Sequence, residues 1–149
     1  MTLPEAHWVD PNPESPADAA SVPWVRAAVA LAATLFATET GPPPDARLRW
    51  LGQELTSFVA ALDVQARLLL RASLFATTAL APLLCLRFVR FERLTGAERA
   101  HALERFERSP FGLSLLAAKA ALCILWFEHP DVAREIGFDG RSLRDEADA

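Results

Sequence analysis

The sequence predicts an all-α fold, a compact bundle of four to six helices behind a Pro-rich N-terminal arm. Three observations lead there. Apolar residues recur at three- and four-residue spacing, while runs that alternate with period two are missing. Capping residues precede the apolar runs, and Pro or Gly follows them. The chain has 149 residues, which suits one domain. A domain of that size buries roughly 68–70% of its unfolded surface, so it folds without disulfide or metal.

Residues 1–20 hold Pro4, Pro11, Pro13 and Pro16, which interrupt helix and ladder hydrogen bonding alike. They read as an extended arm with His7 and Trp8 as its bulky features. A first helix is expected from Pro23 to about Thr38. Pro23 suits a first turn, and Gly41-Pro42-Pro43-Pro44 forces a stop. A second follows Asp45 as N-cap. Leu48, Leu51, Leu55, Phe58, Val59 and Leu62 fall on one side of it, with Arg47, Arg49, Gln53 and Glu54 mostly on the other. A third is expected from about Asp63 to Phe91, kinked or split at Pro82. The fourth opens on Thr95-Gly96-Ala97-Glu98, a capping box in which hydroxyl and carboxylate each satisfy a free backbone N–H. The fifth opens on Ser109-Pro110 as N-cap and first-turn proline. It stays apolar to Phe127 apart from Lys119, and ends at His129-Pro130. A short helix from Asp131 to Ile136 closes on Gly137. Residues 21–140 therefore form the bundle, and 141–149 a charged tail. The first, third and fifth helices are expected at the apolar centre, and the second and fourth are expected to show polar faces.

Composition narrows the function classes. Hydrophobic residues make up 52% and mean hydropathy is +0.16, more apolar surface than one small core needs. The surplus points to a partner or a membrane. A net charge of −4 argues against nucleic acid, whose binding is driven by cationic surface. Residues 1–21 carry four acids and no Lys or Arg, unlike a secretory leader, so a cytoplasmic location is expected, with the inner membrane face as an extension of it. Cys85 and Cys123 sit in apolar runs and read as core residues.

A spanning helix needs about 20 mostly apolar residues. Ala27–Ala37, Ala72–Leu86 and Phe111–Phe127 are each shorter or interrupted by charge, and central bundle helices are the simpler reading. Glu98-x-x-His101 has the spacing of helical di-iron ligands. Such a site needs a second copy and two further Glu, and Glu98 is already engaged by the cap. The chain holds no Gly-x-Ser-x-Gly elbow, Walker A motif or Gly-x-Gly-x-x-Gly. No catalytic, cofactor-binding or metal-ligating residue is therefore assigned. The notable charge feature is Arg87, Arg90 and Arg93, which a spacing of three would align on one helix face. It reads as a solvated face paired with Glu92, Glu98 or Glu104, or as a basic stripe for an acidic partner or anionic head groups.

From about Phe88 onward a pattern runs Phe91-x-x-Leu94, Glu98-Arg99, Leu103, Ser109, Leu116, Lys119, Phe127, Pro130 and Ile136-Gly137-Phe138-Asp139-Gly140. It resembles the small helical region associated with flavin oxidoreductases of the glucose–methanol–choline type, found ahead of the flavin domain in long-chain alcohol oxidases. Similar stand-alone small proteins accompany bacterial dehydrogenases of that class. The resemblance covers about a third of the chain. The family usually has Tyr where Phe138 stands, and an adjacent Leu-Lys pair where this chain has Leu115–Lys119. It implies an accessory subunit without catalysis of its own, with FAD held in a large partner subunit. Ile136, Gly137, Phe138 and Gly140 would then form a hook in which Ile136 and Phe138 bury against the bundle or the partner.

Overall fold

Six α-helices and one 3₁₀ turn make up the computed structural model, which describes residues 22–137. Helix α1 spans Pro23–Leu35, with proline in its first turn. It buries Val25, Ala28, Leu31 and Ala32, the spacing of one helical face. It stops short of the expected Thr38. Thr38 and Gly41 instead exchange backbone hydrogen bonds of 2.9 and 3.0 Å, closing a tight turn with Gly41 at φ +125°. Phe36, just past the helix, stacks on Trp126 with centroids 4.5 Å apart.

Helix α2 spans Asp45–Ala61. Pro44 occupies the cap, so Asp45 is the first helical residue rather than the N-cap. There its carboxylate faces the positive end of the helix dipole. The buried face is Leu51, Leu55 and Val59. Between them lies Gly52, where an added Cβ would stand 3.3 and 3.4 Å from Val29 and Val25, so α1 and α2 approach closely there.

Helix α3 spans Val64–Leu84. Asp63 caps it, accepting the Ala66 N–H at 2.7 Å. Arg67 reaches back and donates to the carbonyls of Val59, Ala60 and Leu62 at 3.1, 3.0 and 2.9 Å. The guanidinium thus satisfies carbonyls that the end of α2 leaves free. Thr77 is fully buried on this helix and its hydroxyl has no partner among the described residues. Arg71 lies over the Trp24 ring of α1, 5.3 Å from its centroid.

The third helix does not continue to Phe91 as expected. Pro82 sits inside its last turn, and the chain leaves the helix two residues later. Leu86 adopts a left-handed conformation, φ 56°. Its N–H bonds the Leu83 carbonyl at 2.9 Å, and the Arg87 N–H bonds Pro82 at 3.0 Å. Those two bonds form a Schellman ending, built here on leucine in place of the usual glycine. A 3₁₀ turn, Phe91–Arg93, then buries Phe91, and Leu94 is buried after it.

Helix α4 spans Gly96–Glu107 and carries the expected capping box. Helix α5 spans Gly112–Glu128. Ser109 and Pro110 do not open it. The Ser109 hydroxyl donates to the Phe106 carbonyl at 2.6 Å and accepts the Phe111 N–H at 3.2 Å, so it closes the α4–α5 corner. That corner requires glycine at position 112, since a Cβ there would lie 2.5 Å from the Glu107 carbonyl oxygen. Helix α6, Pro130–Glu135, is capped by His129 Nδ1 accepting from the Asp131 N–H at 3.2 Å. His129 also meets Trp50 of α2 edge-on, with ring centres 4.7 Å apart. Gly137 closes α6 at φ +80°, as expected.

The core draws on every helix. Leu31, Leu51, Leu55, Leu74, Phe106 and Leu122 are among its fully buried members. α3 packs mainly on α5 and α4, and α1 packs on α2. The second and fourth helices show polar faces as expected, but the expectation that the third and fifth lie wholly inside an apolar centre needs correcting. α2 and α4 contribute core leucines, and α3 and α5 turn much of their apolar surface outward. Cys85 and Cys123 are free and half-buried, and Cys85 packs against the edge of the core.

Candidate interaction surface

The apolar surplus of the composition is concentrated on α3 and α5. On α5, Leu115, Ala118, Leu122 and Leu125 face the core. A second stripe, Leu113, Leu116, Ala120, Ile124 and Phe127, faces solvent along the whole helix. Its steps of three and four residues make it one continuous face. Leu113 is 77% exposed and Leu116 62%. On α3 the exposed stripe is Val64, Leu68, Ala72 and Phe75, flanked by Leu69 and Leu83. These two helices pack against each other through their opposite, buried faces.

At Phe75, past the middle of α3, the stripe meets an apolar groove of about 440 Å³. Trp24 and Ala27 of α1, Phe75 of α3, and Phe88 and Val89 of the connecting segment line it. Phe88 is 86% exposed, because the left-handed turn at Leu86 sends the chain outward before Phe91 re-enters the core.

The three arginines do not share a helix face, because residues 85–90 lie outside the helix. Arg87 turns to α4 and binds the Glu98 carboxylate at 2.7 Å. Arg90 lies at the rim of the apolar groove beside Glu92. Arg93 ends the 3₁₀ turn and is exposed. Neither Arg90 nor Arg93 makes an ion pair among the described residues. Of the expected partners, Glu98 pairs with Arg87, and Glu104 pairs with Arg108 on its own helix.

Glu98 sits at a focus of donors. The Thr95 N–H donates to it at 2.9 Å, and that bond holds its carboxyl below the usual range; some desolvation opposes the shift, and the Arg87 charge adds to it. His101, three residues on, is exposed. Among the described residues no three His, Cys, Asp or Glu side chains converge as a metal site would need.

Ile136 does not bury against the bundle. It is 62% exposed at the end of α6, which the Arg47–Glu135 ion pair fastens to the start of α2. Gly137 is likewise exposed. Phe138 and Gly140 lie outside the described residues. Among the described residues no hydrogen bond joins Ile136 or Gly137 to Arg87, Arg90 or Arg93.

No family model, curated protein or solved structure matches this chain.

Proposed function

We propose that this chain is a non-catalytic accessory subunit of a flavin-dependent alcohol- or sterol-type oxidoreductase complex. The observation that supports the reading most is the outward apolar stripe of α5. A helix with two apolar faces is suited to burial on both sides, and only one is covered among the described residues. Each large apolar side chain taken from water is worth about 1.5–3 kcal/mol, so a partner that covered the stripe would gain a firm anchor. The resemblance in the C-terminal half supplies the class of that partner, a large flavoprotein subunit. In this reading FAD and the active-site bases belong to the large subunit, and this chain stabilises it or shapes the entry for an apolar substrate. The complex would act in the cytoplasm, with peripheral membrane contact through the exposed segment around Arg90 and Arg93.

A tagged pull-down from native lysate, with an absorption spectrum of the eluate, tests this. Expected is a larger protein with flavin bands, lost when Leu116→Glu and Ile124→Glu are combined. A lone, colourless monomer with the same elution in both forms would overturn it.

A second reading has its own observation. α3 has 21 residues and a mean hydropathy of 1.3, with a third of its apolar window buried, so it is long and apolar enough to cross a membrane. Retention in a membrane fraction after a salt wash, with release only by detergent, would favour an embedded α3 over a peripheral subunit.

A further inference from the structure

We propose that the pocket between α1 and α2, closed at one side by Arg99 of α4, binds a small amphiphile with a carboxylate head and an aliphatic tail. The pocket measures about 520 Å³, within the roughly 300–1,000 Å³ typical of small-molecule sites. Val25, Val29 and Ala33 of α1 and Leu48 of α2 form an apolar wall. Three arginines line it, Arg26, Arg49 and Arg99, against the single acidic residue Asp45. None of the three makes an ion pair among the described residues.

Arg99 is the most constrained of the three. One Nη donates to the Ala30 carbonyl at 3.2 Å, which fixes the guanidinium against α1. Its Nε is buried and has no acceptor among the described residues. Burial pushes its pKa below the ordinary arginine value, yet arginine stays cationic at neutral pH. A half-buried cation with unused donors beside an apolar wall is costly when empty of an acceptor. A carboxylate accepts two parallel N–H bonds from such a planar group, and an aliphatic tail covers the partly exposed Val29, Ala33 and Leu48. A bare anion would leave the wall wet, and an uncharged chain would leave the guanidiniums unpaired. The inference does not depend on the accessory-subunit reading.

Calorimetric titration of the full chain with decanoate, below its aggregation threshold, tests it. Expected is saturable binding at one site per chain, with 1-decanol and acetate each roughly tenfold weaker or more. Arg26→Ala with Arg49→Ala removes two exposed charges without touching the core, and should weaken decanoate by roughly tenfold. Arg99→Lys keeps the charge, loses the planar fork, and should weaken it comparably. The proposal is overturned if decanoate gives no saturable heat or if decanol binds as tightly. It is equally overturned if several molecules bind per chain, as the outer stripes of α3 and α5 would take them. Unchanged affinity in the helical, folded Arg26→Ala/Arg49→Ala protein would overturn it as well.

Discussion

Replacing Thr77 by Val should stabilise the protein. Thr77 is fully buried in α3 and its hydroxyl finds no partner among the described residues, whereas the adjacent Thr78 donates to the Leu74 carbonyl at 2.8 Å. A buried polar group without a partner costs about 1–3 kcal/mol, and valine fills the same space with a methyl. Both residues are β-branched, with similar helix propensity, so the backbone term nearly cancels. The expected gain is about 1–2 kcal/mol, or about 3–6 °C in melting temperature for a chain this long. Thr78→Val removes a bond that is made, and should leave stability unchanged or lower it by about 0.5–1 kcal/mol. Urea unfolding followed by circular dichroism gives both values, with an unchanged m-value as evidence that only stability moved. A loss of stability in Thr77→Val would refute the reasoning. It would mean that the hydroxyl is satisfied in solution, by the carbonyl one turn back or by a trapped water.

Gly112→Ala places a Cβ against the Glu107 carbonyl and should cost about 1–3 kcal/mol, whereas Gly96→Ala, in open space, should gain about 0.4–1 kcal/mol; thermal melts of the two separate steric from entropic effects. Arg67→Met keeps the apolar stem and uncaps α2. We expect a loss of about 1–2 kcal/mol in urea unfolding, with faster amide exchange in the last turn of α2. Glu98 has a lowered pKa in the fold, so its contribution is present above the ordinary carboxylate range and is lost as pH falls through that lowered value. Glu98→Gln should therefore flatten the fall in stability between neutral pH and about pH 3. Identical pH slopes for both proteins would remove the Thr95–Glu98–Arg87 linkage from the account.

Local signals in the sequence located most helix starts. Thr95 and Glu98 stand three apart, and both halves of a capping box lie within that span, so no tertiary information was needed. Pro23, Pro130 and Gly137 act through their own backbone preferences in the same way. The errors have physical causes. The end of α3 rests on a left-handed leucine, and nothing in residue preference marks Leu86 for that role. Ser109 can cap a helix or close a corner, and the nearby Phe106 carbonyl decides for the corner. The outward stripes were hidden for a different reason. α5 is apolar nearly all round, so periodicity identifies a helix without showing which side meets the core. Arg26, Arg49 and Arg99 lie on three helices, and only the fold brings them to one pocket.

The aromatic joints carry a practical consequence. Trp126 is stacked under Phe36 where the end of α1 meets α5, Trp24 lies beneath the Arg71 cation between α1 and α3, and Trp50 abuts His129 between α2 and α6. Each indole therefore sits at a different seam and beside a different quencher or stacking group. Single-tryptophan versions of the chain would turn each seam into its own optical reporter, without any label. They would distinguish an opening of α1 away from α3, which changes the α1 side of the arginine-bordered pocket, from an opening along α5, whose outer face is the proposed docking stripe.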